Sequence, residues 1–102
     1  MLQQALMAQP KQIAKEVARL ARHLLGQGIT VIWFGSWPKG TAGPHADIDI
    51  AIDAADTIPL QQMTLLQDAI DDIATLHEID LIDLHAVSKA FREETLRHGI
   101  LL

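Results

Sequence analysis

The chain has 102 residues, 49% apolar and 21% charged, with a formal net charge of −5. Its length suits one small domain, and this much Leu, Ile, Val and Ala excludes a disordered chain, because the surface it can bury offsets chain entropy. Cysteine is absent, which excludes disulfides, thiolate zinc sites and cysteine nucleophiles, and the acidic balance argues against a general nucleic-acid binder that lives on phosphate contacts.

Residues 9–25 read as a helix. Ile13, Val17, Leu20 and Leu24 recur at helical spacing as one apolar stripe, Lys11, Lys15, Arg19 and Arg22 line another face, and Pro10 suits the first turn. Gly26 and Gly28 end it. Thr30 to Phe34 is a β-branched and aromatic run, read as a buried strand. Residues 35–44 hold three Gly and two Pro and form a turn region, with room for a short helical turn while the flanking strands pair antiparallel. Ala46 to Ile52 alternates between acidic and apolar residues as a period-two strand. Leu60 to Leu76 reads as a second long helix with a stripe of Met63, Leu66, Ile70 and Ile73. Ile79 to Val87 reads as a third strand reached by a crossover, and Ser88 is placed to cap a last helix that Gly99 stops. The expected fold is α/β (α+β), a small mixed β-sheet with helices packed against it.

Two further exclusions follow from the elements. No apolar run approaches the ~18 residues of a membrane helix, and no basic segment followed by an apolar stretch marks a signal peptide. A cytoplasmic location without membrane contact is expected. Aromatic residues make up only 4% with no Tyr, so a base-stacking platform is not expected either.

The chemistry concentrates in the second strand. Asp47 and Asp49 project from one face, roughly 6.5–7 Å apart at Cα. Strand interiors disfavour Asp, and two neighbouring carboxylates repel unless paired, protonated or bound to a cation. A hard divalent ion such as Mg²⁺ resolves this, since it takes one or two carboxylates plus phosphate oxygens. In the third strand Asp80 and Asp83 point to opposite faces, so only one can join the first pair. Three carboxylates on neighbouring strands suit two metals in phosphoryl or nucleotidyl transfer. An Asp-x-Asp alone is commonly solvated decoration, and a Gly-Ser pair alone a plain turn. Here Gly35 and Ser36 follow the first strand at its carboxyl end, where α/β sheets place ligands. Gly permits close backbone approach, Ser36 adds a hydroxyl, Lys39 a positive charge, and Gly40 lets the loop reverse.

Gly35 and Ser36, ten residues, then Asp47-Ile48-Asp49 resemble the active-site signature of the DNA polymerase β-type nucleotidyltransferase superfamily. The stretch from Phe34 to Ile52 resembles the minimal nucleotidyltransferase (MNT) proteins of bacteria and archaea, and Glu78 to Leu84 resembles their third-carboxylate strand, which maps the third ligand to Asp80 rather than Asp83. The resemblance spans the whole chain, 1–102, as a single minimal nucleotidyltransferase domain. Two positions depart from the pattern. Trp37 stands where the family often has Arg, and Ala46 where it usually has Ser. The first change weakens phosphate binding or shifts it to Lys39, and the second removes a hydrogen bond near the metals.

The resemblance implies transfer of a nucleoside monophosphate from a triphosphate to a hydroxyl. Asp47, Asp49 and Asp80 would be catalytic metal ligands for two Mg²⁺, with Mn²⁺ an alternative, and Asp80 would help deprotonate the acceptor. Gly35, Ser36, Lys39 and Gly40 would hold the nucleotide, ATP or another triphosphate. Larger relatives carry a second domain for the acceptor, and this chain ends soon after its third strand. The resemblance therefore points to an antitoxin that transfers AMP to a Tyr hydroxyl of a small helical HEPN-domain toxin. A catalytically silent module that neutralises its partner by contact is a second reading, and a small-molecule nucleotidyltransferase working as a homodimer a third. The apolar tail Ile100 to Leu102 either packs on the sheet or marks an interface, in a homo-oligomer or a heteromeric complex. The five His residues form no metal-ligating pair. Asp53 reads as strand-end solvation, and the basic helix face as a solvated one.

Overall fold

A computed structural model describes residues 9–102. Helix α1 (Pro10–Leu25) leads to strand β1 (Thr30–Phe34), the short helix α2 (Ser36–Lys39) and strand β2 (Ile48–Asp53). Helix α3 (Leu60–Asp71), strand β3 (Ile79–Asp83), helix α4 (Lys89–His98) and strand β4 (Ile100–Leu101) follow. The sheet runs β3-β2-β1-β4. β1 pairs antiparallel with both β2 and β4, and β2 pairs parallel with β3 across the α3 crossover. The mixed sheet and the antiparallel loop with its helical turn are as the sequence predicts.

Alternation along β2 divides the molecule. Ile48, Ile50 and Ile52 are fully buried in a core with Val31 and Trp33 of β1 and the inner faces of α1 and α3. Ala51 joins Ile32 and Leu84 in a second, smaller cluster on the opposite face, where α4 packs. Ser88 caps α4 as expected, its hydroxyl accepting a hydrogen bond from the Phe91 amide at 3.2 Å.

Several sequence expectations are corrected. The buried side of α1 is Ile13, Ala14, Val17, Ala18 and Ala21, with Leu24 on the surface. Three alanines let the helix lie close to the sheet, and this rotates the contact face away from Leu24. Helix α3 ends at Asp71, not Leu76, with Asp72 as its C-cap. Its last turn carries acidic and no basic side chains, which the negative end of the helix dipole disfavours. β3 ends at Asp83, not Val87, and β2 begins at Ile48, which leaves Asp47 just outside the ladder. The basic face of α1 is not simply solvated, since the Arg22 guanidinium donates to the Leu102 carbonyl at 2.6 Å. The apolar tail packs on the sheet. β4 pairs with Ile32 and Trp33, and the Leu102 amide donates to the Val31 carbonyl at 2.9 Å.

Asp83 is buried on the apolar side of the sheet. Its carboxylate accepts from the backbone amide of Ile58 at 2.8 Å and from that of His85 at 2.9 Å. It thus fastens the chain leaving β2 to the end of β3. Asp83→Ala would strand two backbone donors, and a loss of about 2 kcal/mol in chemical denaturation is expected. Catalytic geometry on the other face of β3 should survive it.

Candidate active site

Parallel pairing sets Asp49 directly beside Asp80, and antiparallel pairing sets Asp49 beside Phe34. Asp47, Asp49 and Asp80 thus share the face that α4 only partly covers. Asp47 and Asp80 are exposed and Asp49 is half-buried. Asp80 lies within hydrogen-bonding reach of Asp49. Burial, then the charge of Asp80, then that of Asp47 push the Asp49 carboxyl from 3.8 up to about 6.

Asp53, on the same face of the same strand, differs. It is gripped by the Arg92 guanidinium of α4 through two hydrogen bonds of 3.2 Å each, with His85 nearby at 3.5 Å. Strand-end solvation is therefore not its explanation. Among the described residues, none of Asp47, Asp49 and Asp80 has an ion-pair partner. The sheet's acidic face is neutralised at one end and left charged at the other.

Gly35 sits over the charged end with φ +85 and ψ −152. A Cβ there would overlap the Asp49 carboxylate oxygen and lie 3.1 Å from its Cγ. The missing side chain is what lets the loop backbone reach this carboxylate. Ser36 opens α2 and is half-buried. An open cleft of about 1080 Å³ runs along β3, past Phe34, Asp49, His77, Asp80, Ile82 and Phe91. Phe34 and Phe91 meet edge to face, with ring centroids 5.7 Å apart.

The structure thus gathers Gly35, Asp47, Asp49 and Asp80. Lys39 is directed elsewhere, its ammonium 3.6 Å from Glu94 of α4. Gly40 caps α2 in the left-handed conformation and serves the turn. His45 is exposed on the loop. Two residues gain parts that the sequence did not disclose. The indole N–H of Trp37 donates to the Ala46 carbonyl at 3.2 Å, and Nδ1 of His77 lies 3.2 Å from the same oxygen. Trp37, read from the sequence as a missing phosphate ligand, is folded inward. His77 carries no spacing signal that could have marked it.

Residues 10–102 match the family described as "Polymerase beta, Nucleotidyltransferase". The chain belongs to this nucleotidyltransferase family. Among solved structures it is similar to a toxin–antitoxin crystal structure with AMP-PNP, at 27% identity and TM-score 0.64, covering 86% of this chain and 70% of that one. A minimal nucleotidyltransferase shares the fold at 21% identity and TM-score 0.69, covering 91% of this chain and 95% of that one. So does a complex of tri-AMPylated Shewanella oneidensis HEPN toxin with MNT antitoxin, at 23% identity and TM-score 0.61, covering 91% of this chain and 71% of that one. No curated protein matches.

Nucleotidyltransferases of this kind use divalent metal ions. Among the described residues no three His, Asp or Glu side chains close around a single point. The donor set nevertheless fits hard cations. It consists of oxygen ligands without a cationic partner, crowded enough to raise the proton affinity of Asp49, and an ion such as Mg²⁺ draws its remaining ligands from phosphate and water. Among the described residues no helix is long and apolar enough to cross a membrane.

Proposed function

We propose that this chain, read as one nucleotidyltransferase domain over 1–102, transfers AMP from ATP to a tyrosine hydroxyl of a small helical HEPN-type partner and acts as its antitoxin in the cytoplasm. The carrying observation is the Asp49–Asp80 pairing beneath Gly35, a carboxylate cluster that the protein itself leaves without a cation. Similarity to a toxin–antitoxin structure with AMP-PNP supports the choice of nucleotide and partner class.

In this reading Asp47, Asp49 and Asp80 would hold Mg²⁺, and Asp80 also faces the acceptor. Bound Mg²⁺ supplies charge neutralisation for the triphosphate and the departing pyrophosphate. Gly35 and Ser36 hold the β- and γ-phosphates where the loop backbone comes close. The acceptor oxygen forms a bond to the α-phosphorus, the bond from that phosphorus to the bridging oxygen breaks, and pyrophosphate leaves. Asp80 receives the hydroxyl proton. The protein contributes positioning and electrostatics.

Incubation with ATP, Mg²⁺ and the helical partner should add the mass of AMP to the partner, and Asp47→Ala should abolish the increment. An unmodified partner in the wild-type reaction would reject the proposal. One observation favours the contact-only reading. Trp37 is turned inward and Lys39 is paired with Glu94, so the loop offers the triphosphate little positive charge. Neutralisation of the partner by the Asp47→Ala chain would decide for that reading.

A further inference from the structure

We propose that Trp37 and His77 are positioning residues that grip the Ala46 carbonyl from two sides and thereby fix where the Asp47 carboxylate meets Asp49 and Asp80. The inference rests on the reading that these carboxylates hold divalent ions. Asp47 needs such a device because it precedes β2 and no strand ladder holds it. Its two neighbours are tied instead. On one side the Ala46 carbonyl takes Trp37 Nε1 and His77 Nδ1, both at 3.2 Å, which uses both of its lone pairs. On the other side the Ile48 amide donates to the Glu78 carbonyl at 2.8 Å.

A carbonyl can only accept, so this contact is a hydrogen bond in the tautomer that carries its proton on Nδ1. The two rings brace each other edge to face, with centroids 5.9 Å apart at 74°. Trp37 also packs against the main core, and the His77 amide is held by the Thr75 hydroxyl at 3.2 Å. One arm of the clamp comes from α2, which follows the Gly35 turn. The other comes from the segment entering β3, which carries Asp80. The loop bearing Asp47 is thus pinned to both halves of the site. The departure at position 37 is a change of task, from a side chain that could meet phosphate to one that places a carboxylate.

The test compares Trp37→Phe, His77→Leu and His77→Asn with wild type. Asn offers an amide N–H close to the position of Nδ1, and Leu offers none. Mn²⁺ affinity is measured by electron paramagnetic resonance with a non-hydrolysable ATP analogue, and amide exchange over residues 41–47 is followed in the metal-free proteins. Trp37→Phe and His77→Leu should each weaken Mn²⁺ binding by about tenfold, the usual scale for a residue acting through a ligand, and speed exchange in the loop. Thermal midpoints should fall by no more than about 4–8 °C, the scale of one lost hydrogen bond, and His77→Asn should restore both readouts. Folded Trp37→Phe and His77→Leu proteins with wild-type Mn²⁺ affinity would overturn the inference, as would His77→Asn behaving like His77→Leu. A wild-type chain that binds Mn²⁺ and the analogue but modifies no helical partner overturns the proposed acceptor and leaves the clamp standing.

Discussion

Asp49→Asn should make the metal-free protein more stable and its AMP transfer at least 10²–10³-fold slower, on the order seen when one transition-state contact is removed. The two effects share one cause. In the folded chain the Asp49 carboxyl is raised from 3.8 to about 6 by burial and by Asp80 and Asp47. Folding therefore raises its proton affinity, and the folded state binds more protons than the unfolded one between about pH 4 and pH 6. Stability is greatest while the group is protonated and falls as pH rises through that window, then levels off. Unscreened, the raised proton affinity corresponds to about 3 kcal/mol, and partial solvation screens this to about 1 kcal/mol. Asn keeps the shape and removes the charge, so the thermal midpoint at pH 7 should rise by about 4–8 °C, and the loss of stability across the window should shrink. Adding Mg²⁺ and ATP should reverse the order, because only the wild-type site can draw stability from the cation. A midpoint for Asp49→Asn at or below wild type in chelator would show that the carboxylates do not repel as described.

Gly35→Ala is expected to damage fold and site together. Position 35 adopts φ +85 and ψ −152, a region that side chains other than glycine avoid at a cost on the order of 1–3 kcal/mol. The added methyl also meets the Asp49 carboxylate, so relief requires either the loop or β2 to move. Together these should lower stability by about 3 kcal/mol or more, with loss of ATP binding in the presence of Mg²⁺ measured by calorimetry. Gly43→Ala is the control. A Cβ there meets nothing within 4 Å, and both properties should stay near wild type. If Gly35→Ala bound nucleotide normally, the close approach of the Gly35 backbone to Asp49 would have no part in binding.

Much of this architecture was legible from residue patterns. Alternation over Asp47 to Ile52 assigned the acidic and apolar faces of β2 correctly, because a buried face enforces a period of two. The crossover to a third strand and a mixed sheet were readable from the pattern of elements, whereas the choice of Asp80 over Asp83 came from the resemblance to minimal nucleotidyltransferases, and the parallel pairing that sets Asp80 beside Asp49 came from the structure. What stayed hidden depends on contacts between distant elements. Arg92 lies thirty-nine positions from Asp53, and His77 lies thirty-one from Ala46. No local spacing encodes such pairs. The end of α3 is hidden from the sequence because Leu76 continues the apolar pattern, although it is 88% exposed. The role of Asp83 is not legible because the donors to its carboxylate are the backbone amides of Ile58 and His85, which any residue but proline could supply.

Among the described residues the strand bearing Asp80 lies at the margin of the sheet, with β2 as its single neighbour. A cation seated across Asp49 and Asp80 would therefore act as a clasp on the hem of the sheet. Whatever free energy favours the clasp also opposes fraying of that hem, so ligand occupancy and closure of the margin rise and fall as one equilibrium.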